Sequence, residues 1–438
     1  DPLYWSLAWS SGDSQVTMWH GDFAPGILYS FRVDSAADKS GNSMLNPPYQ
    51  WSFTTVLPDS MSFNLAGGAY RMFSVPLSPV DSTPAQILGD ELGAYSDSTW
   101  RIFGYKPASG YVERPNISSG YGYWLATAGN AQVEVKGTRL MNFFNQPVES
   151  GWNLVGDPFD TTVTLSNISI LWNDTSSHYV GYTDSLVNSV VRQRMYNWQD
   201  ASSDLMNNGV WDSLTPYNAG DQMHPWTGYA LYAVQPCTLR MERFMGKRPV
   251  DPVKAPQYQI DWQLTMDAVS GSAVDRGLRL GVSPQARETY DRLDAEKPPL
   301  ISSNLKAFFL HQDWNQGPCH DYQYDFRPAA DYIEWPLMIE AVQADQPVVL
   351  NAQITGELGN GGGLYLLNRR TGKIFDLKTQ KTIGFSGSQE LAVVYSSKPF
   401  DGRTLTPLTF GLGRIGPNPF NQLTTINYQI PQAGLVSM

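Results

Sequence analysis

Trp100-Arg101-Ile102-Phe103-Gly104-Tyr105, followed by Gly122-Tyr123-Trp124-Leu125, returns later as Arg194-Met195-Tyr196-Asn197-Trp198 followed by Gly228-Tyr229-Ala230-Leu231. The parallel extends on both sides. Phe73-Ser74-Val75-Pro76 upstream matches Leu154-Val155-Gly156-Asp157-Pro158, and Gln132-Val133-Glu134-Val135 downstream matches Cys237-Thr238-Leu239-Arg240. Each copy reads as a strand, a long loop, an aromatic hairpin and a Gly-Tyr strand, so residues 57–245 form a duplicated β unit, copies 57–140 and 141–245. The second copy carries an insertion around residues 179–193. One copy has too few strands to cover its own apolar face. The two are therefore expected to pack as a pseudo-symmetric sandwich or barrel.

Outward from this pair the β pattern continues. Residues 246–257 are a Pro-rich, non-periodic linker, after which Tyr258-Gln259-Ile260-Asp261-Trp262-Gln263-Leu264-Thr265-Met266 alternates apolar and polar. Further strands are expected at 278–282, 306–311, 332–341, 348–354, 363–368 and 390–395. Successive hairpins over 258–400 predict an antiparallel β-sandwich. The chain as a whole is expected to be all-β and multidomain. Its 13% aromatic residues, with 38 Gly and 30 Pro against 16% charged residues, suit a turn-rich β protein. A net charge of −11 with no Lys/Arg cluster argues against nucleic acid as a partner. No run of about 18 apolar residues is present, which predicts no transmembrane helix.

The two ends carry resemblances. After a linker at 401–414, residues 415–438 contain Pro417, Asn418, Pro419, Phe420 and Asn421, then Thr424-Thr425-Ile426-Asn427-Tyr428-Gln429-Ile430-Pro431 and Gly434-Leu435-Val436-Ser437. This stretch resembles the opening of the C-terminal sorting domain found on cargo of the type IX secretion system. The resemblance implies a partner, the type IX secretion machinery, and a location outside the cell or on the outer-membrane surface. It covers only the start of that domain, so truncation is expected. At the other end, Gly26-Ile27-Leu28-Tyr29-Ser30-Phe31-Arg32-Val33, the turn formers 34–42 and Trp51-Ser52-Phe53-Thr54-Thr55 resemble the second half of a bacterial Ig-like domain, residues 1–56. Such modules are generally spacers, and the resemblance implies that further strands are expected before Asp1.

Several residues invite chemistry. Asp34, Asp38 and Asn42 in the first region, and Asp291, Asp294 and Glu296 in the third, are oxygen sets that calcium would accept; turn chemistry and a solvated loop are the alternatives. His311, Asp313, Cys319, His320 and Asp321 mix nitrogen, sulfur and oxygen donors without the spacing of zinc sites. Trp124, Trp211 and Trp226 are candidate contacts for surface polysaccharide, against the alternative that these aromatics form the core. Cys237 and Cys319 lie in different regions and either pair or remain free. Gly411-Leu412-Gly413-Arg414-Ile415-Gly416 spells a dinucleotide fingerprint, but Pro417 and Pro419 forbid the helix it would need. No phosphate-binding loop, nucleophile elbow or His-based nucleophile pair occurs.

The expectation is a non-enzymatic structural or adhesive protein of the cell surface, with surface polysaccharide or other surface proteins as candidate partners. Two alternatives stay open: the C-terminal accessory region of an extracellular peptidase or glycosidase whose catalytic domain lies upstream, and a polysaccharide-binding module.

Overall fold

The structure, a computed structural model, describes residues 6–10, 15–19, 28–37, 40–43, 48–55, 59–172, 179–199, 210–216, 221–243, 258–301, 304–342, 346–359, 361–398, 400, 411–416 and 425–429. Strands dominate it. The one α-helix among these residues, Pro84–Leu92, is short, opens on a proline and stops at Gly93.

The two copies of the repeat have the same inner sheet. In the first, the strands run Tyr70–Phe73, Tyr123–Thr127, Trp100–Lys106, Gly110–Glu113; in the second, Gly151–Gly156, Gly228–Ala233, Val191–Gln199, Val210–Leu214. Outer sheets back both. One orders Asp59–Leu65, Ala131–Thr138, Ser78–Pro79, and the other Phe143–Val148, Cys237–Glu242, Ile168–Leu171, Val180–Gly181.

Side-chain alternation converts these sheets into four layers. Along Tyr123–Thr127 every residue is buried, because Tyr123 and Leu125 face a core shared with Leu65 and Val133 while Trp124 faces the opposite way. In the second copy Tyr229, Leu231 and Ala233 join Leu239 and Met241, while Ala230 and Tyr232 point to the other side. The two inner sheets thus press together on a third core containing Trp124, Trp152, Tyr196 and Trp198. Each copy is its own two-layer unit, and the inner faces supply the joint. This differs from a single sandwich or barrel. Strands apolar on both faces cannot end at solvent, so the inner sheets stack instead.

The joint is reciprocal. Phe73 bridges Thr227, and Val155 bridges Tyr121. Ser74 N donates to Trp226 O at 3.2 Å, and Gly156 N donates to Gly120 O at 2.8 Å. The hydroxyl of Tyr123 accepts from Ser118 N at 2.8 Å, and that of Tyr229 accepts from His224 N at 2.9 Å. A pseudo-twofold axis passes where Gly122 and Gly228 meet. A Cβ at Gly122 would lie 2.7 Å from Val155 O, and one at Gly228 would lie 2.9 Å from Phe73 O.

The third region is one sheet of eleven strands, in which Tyr332–Ala341 and Trp262–Ser270 lie several strands apart. Trp262 nevertheless meets Trp335 and Tyr395 at 5.8 and 5.5 Å between ring centroids. The sheet therefore curls so that both halves close on one core. Contrary to the all-antiparallel expectation, Ala273–Val282 and Asp321–Arg327 run parallel. The chain between them makes a crossover containing Ala295–Glu296 and Leu305–Leu310.

At the ends, Leu28–Val33 pairs with Tyr49–Thr54, and Gly411–Gly416 pairs with Thr425–Gln429. The dinucleotide-like glycines are therefore strand, not a strand-to-helix turn. Among the described residues no helix is long and apolar enough to cross a membrane.

Candidate functional site

A buried ion pair lies where the second copy of the repeat meets the third region. Arg192 projects from Val191–Gln199, and its Nε lies 2.6 Å from the Glu296 carboxylate, both side chains being at most 5% exposed. Its other nitrogens donate to Asn188 O at 2.7 Å and Gln316 Oε1 at 3.0 Å, and its guanidinium lies 4.0 Å from the centre of the Tyr290 ring. Burial alone would lower the Arg192 pKa, but Glu296 more than reverses this, so the guanidinium stays charged. Around the pair, Tyr111 donates to Pro299 O at 2.8 Å, and the Tyr232 hydroxyl donates to Gln316 O and accepts from Cys319 N, both at 2.9 Å. Leu300 and Ile301 complete the contact by packing on the tryptophan core.

The acidic loop is thus a docking element, and its carboxylates are engaged by the protein itself. Glu296 faces Arg192. Asp294 accepts from Asp291 N at 2.8 Å and Phe326 N at 2.9 Å; Asp291 accepts from Arg287 N at 2.6 Å and Leu293 N at 2.7 Å. Burial, then the nearby Asp325 and Asp291 carboxylates, push the Asp294 pKa well above the ordinary range, and burial raises that of Asp291. Asp34 is exposed and takes Arg32 Nε at 2.6 Å; Asn42 is exposed; Asp38 lies outside the described residues. Among the described residues no group of three or more His, Cys, Asp or Glu side chains converges as a metal site.

In the mixed donor set His311 Nδ1 lies 3.5 Å from Asp313 Oδ1, but among the described residues the set forms no common metal centre. His311 Nε2 is 2.6 Å from Asp325 Oδ2, its ring stacks on Trp314 at 3.7 Å, and Arg327 Nε holds Asp325 Oδ1 at 2.7 Å. His320 is exposed and its Nδ1 lies 3.1 Å from His311 O. Cys319 Sγ donates to Asp321 O at 3.2 Å, and both cysteines are free thiols. Burial pushes each thiol up to about 12, so neither is a ready nucleophile.

The sugar-contact tryptophans are core residues. Trp124 is fully buried and meets Trp198 and Trp211 edge-on at 5.9 and 5.8 Å; Trp211 is half-buried. Trp226 is buried, stacks on Phe63 at 5.4 Å and adopts a left-handed backbone, φ 67°, where the first copy has Gly120 at φ 78°. Trp124 and Trp226, buried in this way, are closed to a saccharide, while Trp211 packs half-buried on the same core. The sorting motif Pro417, Asn418, Pro419, Phe420 and Asn421 lies outside the described residues, between the strands Gly411–Gly416 and Thr425–Gln429.

Two clefts remain. One of about 550 Å³ lies between the copies beside Tyr105, Pro115 and Tyr121, but Asn153 and Tyr123 on its wall are engaged with neighbouring backbone. The other, about 440 Å³, opens at the junction just described and is lined by Arg192, Arg287, Arg292, Asn188, Ser189 and Gln316, with Asp291 at its wall. Sequence reasoning missed this cleft, because its arginines are separated by about a hundred residues and converge only through docking. The insertion at 179–193 was the one visible trace. Comparison with known protein families, curated proteins and solved structures found no match to this chain.

Proposed function

We propose that this chain is a non-enzymatic, structural or adhesive β-modular protein of the cell surface, exported by a type IX secretion machinery. The observation that carries the proposal is the Pro417-Asn418-Pro419-Phe420-Asn421 sequence with the Thr-rich stretch after it, a pattern that serves as an export address. The body upstream suits such a role. The buried Arg192–Glu296 pair holds two modules together, and His311, the most buried of the described histidines, faces the Asp325 and Asp313 carboxylates and stacks on Trp314. Stacked β layers give a rigid spacer that presents loops at a distance from its attachment point.

The test is fractionation of native cells with and without a working secretion pore. Surface or medium location in the first and periplasmic retention in the second is the expected outcome. Recovery of the intact product from cytosol in both strains overturns it, as would hydrolysis of peptides or glycosides by the purified chain.

A further inference from the structure

We propose that this chain pairs with a second copy of itself through the strand Asp59–Leu65, joining two three-stranded outer sheets into one of six strands. Among the described residues Asp59–Leu65 pairs with Ala131–Thr138 alone, so its other side is an open edge. Such an edge is a row of unmet backbone donors and acceptors, which β proteins shorten, break with proline or cover. Other edges of the repeat follow that rule. Ser78–Pro79 and Val180–Gly181 have two residues each, and Gly110–Glu113 has four. Phe143–Val148, the counterpart of Asp59–Leu65 in the second copy, carries Pro147. Tyr70–Phe73 and Gly151–Gly156 are bridged to the other copy through Phe73 and Val155, and Val210–Leu214 lies beside Ala273–Val282 of the third region. Asp59–Leu65 has seven residues, with no proline, no lysine and no bulge.

This edge is complementary to itself. Glu134 and Lys136 lie opposite Ser62 and Ser60, and both turn backbone groups to the far side of their strand. Glu134 N donates to Glu91 Oε1 at 3.3 Å, and Lys136 O accepts from Val80 N at 3.1 Å. Opposite residues of an antiparallel pair either bond each other or both face away, so Ser60, Ser62 and, by alternation, Asn64 aim their backbone groups at the open side. Two such strands set antiparallel about Ser62 bond Ser62 to Ser62 of the second copy, and Ser60 to its Asn64. The exposed Ser and Asn side chains then stand opposite one another, as cross-strand hydrogen bonding favours. In the same register the half-buried Met61 meets Phe63 of the second copy, which extends the core face of the sheet. Asp59 falls opposite Leu65, so no like charges oppose. The pairing is independent of the export route, which cell fractionation reports separately.

The experiment is sedimentation equilibrium of the purified full chain over a wide concentration range. A monomer–dimer equilibrium is expected, with a dissociation constant on the order of 10 µM because the contact is smaller than standard interfaces. Ser62→Pro removes one outward N–H at an edge position, where proline is tolerated, and should weaken the dimer at least about tenfold with unchanged melting temperature. Cysteine variants read the register independently. Under mild oxidation Ser62→Cys should form an intermolecular disulfide above the parent's background, and Ser60→Cys, which faces Asn64, should not. A monomer at every concentration, a dimer indifferent to Ser62→Pro, no cross-link from Ser62→Cys, or equal cross-linking at both positions overturns the proposal.

Discussion

Asp157 sits where the first copy of the repeat has Val75, and it is fully buried. Its Oδ1 accepts from Phe159 N at 2.9 Å, and the Val163 backbone N–H also favours the carboxylate, but burial outweighs both. Burial drives its pKa up to about 8, against roughly 3.9 in an unfolded chain. The folded state therefore holds a proton that the unfolded state releases. The stability this contributes is complete below about pH 4 and is lost progressively as pH rises towards about 8. Asp157→Asn keeps an acceptor for Phe159 and removes the titration. Its unfolding free energy, measured by urea titration, is expected to exceed that of the parent by roughly 2–5 kcal/mol near pH 8, with the advantage vanishing towards pH 4. A constant difference between the two across that range would refute the assignment. Arg192 makes the opposite kind of residue-scale prediction. Arg192→Ala strands Glu296 in the interior and should cost about 3–5 kcal/mol, whereas Arg192→Met with Glu296→Leu should recover most of that loss. Urea unfolding of the two variants measures both.

At the scale of elements, the close approach at the pseudo-twofold axis fixes which residues the repeat can tolerate. Gly122→Ala and Gly228→Ala each drive a methyl into a backbone carbonyl of the other copy and are expected to cost about 1–3 kcal/mol. Gly89, inside the helix with open space around it, is the control: Gly89→Ala should stabilise by about 0.5–1 kcal/mol. Thermal melting of the three variants separates a packing constraint from a general intolerance of substitution. The same elements show what could be read in advance. Alternation exposed the all-β character, and the repeated Gly-Tyr strands occupy equivalent places in the two inner sheets, because buried faces leave a period in the sequence. Asp321–Arg327 escaped notice because Asp325 and Arg327 occupy buried positions, where a strand search looks for apolar residues. The tryptophans misled in the other direction. Trp124 and Trp226 resemble exposed platforms in one dimension, and only the stacking of the inner sheets makes them interior. Glu296 likewise reads as part of a solvated loop until Arg192, more than a hundred residues earlier, arrives beside it.

For the molecule as a whole, the repeat and the third region are joined by more than their linker. A buried ion pair, three hydrogen bonds through Tyr111 and Tyr232, and Leu300 and Ile301 set on the tryptophan core all cross the same boundary. Interfaces between ordinary domains of one chain are more polar and allow relative motion. Here separation would expose Trp152, Tyr232 and an unpaired Glu296 together, so the two parts should unfold as one cooperative body. A protease site introduced within 246–257 gives the direct test. After cleavage the two pieces are expected to co-elute at the size of the intact chain, and calorimetry should show one transition for residues 59–398. In the Arg192→Ala background the same cut should release the pieces, since the charge left on Glu296 then favours hydration over docking. Two well-separated transitions in the uncut parent protein would mean that the junction is a contact between independent modules, with the Arg192–Glu296 pair contributing too little to couple them.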